Sequence, residues 1–162
     1  MTTKLAIFAD VQNIYYTTRE AYGRQFDYRR LWQTASVSGD VVTAYAYATE
    51  RGDESQQKFQ HALRQIGFTV RLKPYIRRAD GSAKGDWDVG ITIDVLETAS
   101  EVDRIILLSG DGDFEVLVEK IKRDHGVHVT VCGVPALTAQ SLIDAADEFM
   151  PIDEQSGLLK GR

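Results

Sequence analysis

Two kinds of apolar pattern alternate along this chain. The first is the short, nearly unbroken run, as in Leu5-Ala6-Ile7-Phe8-Ala9, Ile105-Ile106-Leu107-Leu108 and Val127 to Cys132. Runs of this length predict strands at Lys4 to Ala9, Val41 to Ala48, Phe68 to Leu72, Asp103 to Leu108 and Val127 to Cys132, with a short edge strand from Glu148 to Ile152. The second pattern recurs every three or four residues, the spacing of one helical face. Phe59, Ala62, Leu63 and Ile66 form such a stripe, begun by an N-cap at Asp53 and stopped by Gly67. Phe114, Leu117, Val118 and Ile121 form another, ending near Gly126. Helices are also expected over Gln12 to Ala21, Phe26 to Ala35, Asp86 to Thr98 (Val89, Ile93 and Leu96 inward) and Leu137 to Ala146. Strands alternating with helices predict an α/β fold, a central, mainly parallel sheet of five or six strands flanked by helices. A long polar connection, Lys73 to Gly85, interrupts the alternation. Residues 1–153 read as a single domain and 154–162 as a flexible C-terminal tail.

Bulk composition narrows the function. A chain of 162 residues with 43% hydrophobic and 27% charged content suits one soluble globular domain. The net charge of −5 argues against a protein that coats nucleic acid by charge alone. It leaves a nuclease open, because a bound divalent cation offsets an acidic pocket. Cys132 is the single cysteine, which excludes an intrachain disulfide; its apolar run predicts a buried structural thiol. No run reaches membrane-spanning length, and a cytoplasmic location is the expectation.

The chemistry lies in four aspartates. Asp10 ends the first apolar run, and Asp111 and Asp113 follow Ile105 to Leu108. Asp88 opens a helix. In open parallel sheets, ligands bind beyond the carboxyl ends of the strands, where strand order reverses. If the strands from Lys4 and Asp103 are neighbours, Asp10 and Asp111 face one crevice. Ser109-Gly110-Asp111-Gly112-Asp113 is a turn able to present two carboxylates, its glycines admitting backbone geometries that larger residues resist. Carboxylates gathered there repel one another unless a cation joins them. Taken singly, each has a plainer reading: Asp113 as a helix cap, Asp88 as a first-turn acid, Asp10 as a turn residue. Asp94 is about 120° round a helix from Asp88, a supporting or surface position. His61, His125 and His128 lie outside these segments. No Gly-x-Gly-x-x-Gly or Walker loop follows the first strand.

Three blocks together, Phe8-Ala9-Asp10-Val11-Gln12-Asn13, Lys84-Gly85-Asp86-Trp87-Asp88-Val89 with Asp94, and Leu108-Ser109-Gly110-Asp111-Gly112-Asp113-Phe114, resemble the NYN domain family in its LabA-like branch. Gln12 stands where many relatives have Glu, and Asp86 is an extra acid. The resemblance implies a three-layer PIN-like fold and a ribonuclease dependent on Mg²⁺ or Mn²⁺. Its acidic positions fall on Asp10, Asp88, Asp111 and Asp113, with Asn13 and Ser109 as the polar residues beside them. Asp10 and Asp111 are the expected direct ligands, and Asp88 and Asp113 are expected to hold ligand waters or a second ion.

Single-stranded RNA is the expected partner; homodimer formation is left open. Arg71, Lys73, Arg77, Arg78 and Lys84, with Tyr75 and Trp87, could grip it by phosphate pairing and base stacking, or form a solvated basic loop. A second group, Arg19, Arg24, Arg29 and Arg30, has Tyr15, Tyr16 and Tyr22 interleaved. The main rival is a non-catalytic RNA- or protein-binding regulatory module. Another is a phosphatase or nuclease acting on small nucleotides or DNA, and a receiver-like phosphoacceptor fits poorly because no acidic pair precedes a strand-end aspartate.

Overall fold

The strand Lys4–Asp10 (β1) lies at the centre of the sheet, and the strands on its two sides lead outward in opposite directions. The structure, a computed structural model, describes residues 2–50, 52–74, 76–77, 83–84 and 87–161, and at 74, 76–77 and 83–84 the backbone alone. On one side of β1 lie β2 (Asp40–Glu50) and then β3 (Thr69–Pro74). On the other lie β6 (Arg104–Leu108), β7 (His128–Gly133) and β8 (Glu148–Pro151). All five pairings are parallel. The expected adjacency of β1 and β6 holds, with Ala9 opposite Leu108. The reversal of strand order therefore falls between the carboxyl ends that carry Asp10 and Ser109.

Side chains alternate across β1, and each face has its own core. Leu5, Ile7 and Ala9 pack with α1 (Val11–Tyr22), α2 (Tyr28–Val37) and α3 (Glu54–Ile66) through Ile14, Leu31 and Leu63. Ala6 and Phe8 pack on the opposite side with α4 (Asp88–Thr98), α5 (Glu115–His125) and α6 (Gln140–Ala145) through Ile91, Leu117 and Leu142. These are the three layers expected. Cys132 is fully buried, and burial pushes its thiol pKa well up, as a structural cysteine requires. Two short strands, β4 (Ile76–Arg77) and β5 (Ala83–Lys84), pair antiparallel within the polar connection.

Several expectations need correction. In α3, Asp53 accepts a hydrogen bond from the Gln56 amide at 2.7 Å as the expected cap, but Ala62 is exposed and Gln60 turns inward instead. In α4 the buried positions are Ile91, Val95 and Thr98, while Val89 and Ile93 are exposed. The helix Asp-Val-Gly-Ile-Thr-Ile-Asp-Val-Leu is apolar nearly all round, so periodicity could not choose its face. The helix expected from Leu137 to Ala146 is split: Pro135–Leu137 is a 3₁₀ turn, and Thr138 is extended, its hydroxyl bonded to the Val134 carbonyl at 2.7 Å. The segment expected to be a mobile tail is docked. Leu158 and Leu159 are buried, the Asp27 amide donates to the Leu158 carbonyl at 2.7 Å, and Lys160 donates to the Gln25 carbonyl at 2.8 Å. Two adjacent leucines supply apolar burial that the polar residues before them conceal.

Candidate metal centre

Asp10 is buried at the junction of β1 and α1, where its side chain caps the helix by accepting from the Asn13 amide at 3.4 Å. Ser109, fully buried at the end of β6, donates its hydroxyl hydrogen to Asp10 Oδ2 at 3.1 Å. The same Oγ accepts from the Asp111 amide at 3.2 Å. Asn13 closes the arrangement from the first turn of α1, its Oδ1 accepting from the Gly110 amide at 2.9 Å. Asp111 then caps the 3₁₀ turn Gly112–Phe114, accepting from the Asp113 amide at 2.9 Å. A chain of hydrogen bonds thus runs from a buried carboxylate to an accessible pair.

Space, rather than dihedral freedom, explains the glycines of this turn. Neither Gly110 nor Gly112 has a positive φ. A Cβ at Gly110 would lie 2.5 Å from the Leu137 carbonyl oxygen, and one at Gly112 would lie 2.9 Å from the Ala139 side chain. The loop after β7 is packed onto the turn, and the Ala139 amide donates to the Gly110 carbonyl at 3.0 Å.

Against this scaffold, α4 delivers Asp88. Oxygen atoms of Asp88, Asp111 and Asp113 lie within 4.8 Å of one another. At that separation each pair of ionised carboxylates repels by about 1 kcal/mol in water, and by more as water is excluded. An oxygen-only donor set at this spacing fits a hard cation such as Mg²⁺ or Mn²⁺ and offers nothing to a soft one. Asp88 joins Asp111 and Asp113 in this group, and Asp10, expected with Asp111 as a direct ligand, is linked to the Asp111 backbone through Ser109.

The other expected contacts divide. The Trp87 indole donates to the Ala48 carbonyl at 2.9 Å, and its ring packs on Tyr47 with Lys73 Nζ 4.9 Å from the ring centre. That fixes the entry to α4 and aims Asp88. Arg71 is committed: its Nε lies 3.0 Å from Asp94 Oδ2, and its guanidinium stacks 4.4 Å from the Tyr45 ring centre. Asp94 also accepts from the Tyr47 hydroxyl at 2.8 Å, and burial above all pushes that phenol's pKa well up. Arg71, its side chain 42% exposed, is therefore the counterion of Asp94, and Asp94 a supporting group. This Tyr47–Asp94–Arg71 link was not visible in the sequence, since its members are far apart in the chain. Arg78, Tyr75 and Asp86 lie outside the described residues, as do the side chains of Arg77 and Lys84.

Comparison with known proteins agrees with this fold. A 31% identical relative, low amplitude and bright protein LabA of Synechococcus elongatus, aligns over 94% of this chain and 85% of its own length. A crystal structure of a protein of unknown function from Vibrio parahaemolyticus is 56% identical, with a TM-score of 0.92 over 98% of this chain and 97% of that one. Residues 4–153, a span that holds every carboxylate of the cluster, match the NYN domain, and the chain belongs to the NYN domain family.

Proposed function

We propose that the protein is a metal-dependent ribonuclease that hydrolyses phosphodiester bonds in single-stranded RNA. Its family lies within the PIN-like nuclease superfamily. The observation that carries the reading is the convergence of Asp88, Asp111 and Asp113 at the point where strand order reverses. Asp88, Asp111 and Asp113 would hold the cation, Mg²⁺ or Mn²⁺. When bound, it supplies activation of water for in-line attack and charge stabilisation at the phosphate and leaving oxygen.

The remaining work falls to the chain's own residues. Asp10 and Ser109 fix the backbone of Asp111, so that its carboxylate is oriented before substrate arrives. Asn13 uses its side-chain carbonyl oxygen to hold the Gly110 amide, and its amide hydrogens would donate to a ligand carboxylate or a phosphate. Trp87 anchors the start of α4 and so sets Asp88. Lys84, Arg77 and Arg78 remain the proposed phosphate contacts, close in sequence to Asp88 on the connection that precedes α4.

The test is incubation of purified protein with labelled RNA and DNA in Mn²⁺, Mg²⁺ or EDTA, beside Asp111→Asn. RNA cleavage that requires the metal and falls on the order of a hundredfold or more in the variant is expected. Cleavage that persists in EDTA or in Asp111→Asn contradicts the assignment. Retained RNA binding without any cleavage transfers the site to the regulatory reading.

A further inference from the structure

Helix α1 carries an exposed stripe that begins beside the acidic centre. Gln12, Tyr15, Tyr16 and Arg19 occupy positions i, i+3, i+4 and i+7, one face of a helix. Tyr15 and Tyr16 are 44% and 51% exposed. Among the described residues they are the only aromatic side chains so open to solvent. Their rings meet edge to face, 5.4 Å between centroids, so each supports the other. Arg19 lies 5.7 Å from the Tyr15 ring centre and donates to its hydroxyl, which holds a cation at the far end of the pair. Glu20 borders the stripe beyond Tyr16.

Position gives the stripe its meaning. Asp10 caps α1, and Asn13 ties the first turn of the helix to Gly110, so the stripe is rigidly joined to the turn bearing Asp111 and Asp113. It extends about 10 Å along the helix, room for roughly three bases at the 3.4 Å rise of a stacked strand. Aromatic faces plus a held guanidinium, leading away from a phosphate-handling centre, match unpaired bases and their backbone. They offer a duplex nothing, since its base faces are already stacked.

We propose that Tyr15, Tyr16 and Arg19 form a stacking platform for unpaired nucleotides flanking the reacting phosphate, Tyr16 and Tyr15 taking bases and Arg19 a phosphate. This rests on the RNA reading above but not on turnover. The platform selects single strands over duplexes and, lying on one side of the centre, gives the bound strand a fixed direction.

The test is fluorescence anisotropy with a labelled single-stranded RNA of about ten nucleotides, in Ca²⁺ and in EDTA, where cleavage does not intrude. The same RNA with abasic positions, its duplex form and the matching DNA run beside it. Tyr16→Ala is expected to bind about tenfold more weakly and Tyr16→Phe within about twofold of the parent, with unchanged melting temperatures. Arg19→Gln should weaken binding and flatten its salt dependence. DNA bound as tightly as RNA fits a platform that reads base faces. Equal affinity of parent and Tyr16→Ala, of intact and abasic RNA, or of single strand and duplex, overturns the platform. A parent that binds no strand in either condition does the same, as does a parent dimer that Tyr16→Ala converts to monomer, which makes the stripe a contact between copies. Loss of cleavage in Asp111→Asn with binding intact leaves the platform standing, so the two proposals fail separately.

Discussion

Ser109 bears more of the site than its size suggests, because one hydroxyl joins a buried carboxylate to the backbone of Asp111. Replacing it by Ala removes both bonds in a water-free place and should cost about 1–3 kcal/mol. Thermal denaturation reads this as a lower melting temperature. Gly110→Ala is predicted to destabilise to a similar extent, about 1–3 kcal/mol, because the new methyl meets a backbone oxygen that cannot swing aside. An unchanged melting temperature would mean that the loop from Leu137 to Ala139 yields. Asp111→Asn is the cleaner probe of chemistry, since Asn caps a helical turn as well as Asp does. At this scale the sequence pointed to aspartates that the fold does bring together, but not to their arrangement. Asp10 and Asp111 both end strands, and nothing in the local pattern reveals that one is buried beneath a serine while the other faces Asp88.

Elements were legible where two neighbouring signals agreed. The strands β1, β6 and β7 are aliphatic runs covered on both faces, and α5 has a clear stripe with Phe114, Leu117, Val118 and Ile121 all buried. The inward face of α4 was not legible, because an apolar helix under a sheet has no polar face to orient it. The structure's choice is testable: Ile91→Ala should cost about 2–5 kcal/mol as a buried truncation, whereas Ile93→Ala should cost far less. Equal losses in denaturant unfolding would return the helix to the orientation expected from sequence. At the sheet edge, Asp147 accepts from the Val129 amide at 2.9 Å and pairs with Lys122 at 3.4 Å. Burial raises its carboxyl pKa, but the amide bond and Lys122 outweigh this and hold it below the ordinary value. A depressed folded-state pKa contributes stability above the unfolded value, lost as pH falls through the folded one. Asp147→Asn should therefore melt below the parent near neutral pH, with the gap closing below about pH 4; a pH-independent gap would contradict this. The docked C-terminal leucines escaped notice because two apolar residues among polar ones carry no period.

For the whole molecule, strand order is the decisive fact. Asp10 and Ser109, about a hundred residues apart in the chain, meet because β1 and β6 are neighbours and the chain leaves them in opposite directions. On the proposed function, RNA would approach against the average field of a chain with a net charge of −5. A bound divalent cation would offset this, and affinity for RNA should fall when the metal is chelated. No helix among the described residues is long and apolar enough to cross a membrane. The account depends on Asp88, Asp111 and Asp113 acting as one cation site, and calorimetric titration of Mn²⁺ into the parent, Asp88→Asn, Asp111→Asn and Asp10→Asn addresses this most directly. It predicts a saturable site in the parent that is lost in Asp88→Asn and Asp111→Asn and only weakened, by about 10–100-fold, in Asp10→Asn. Undiminished Mn²⁺ binding by Asp111→Asn would contradict it.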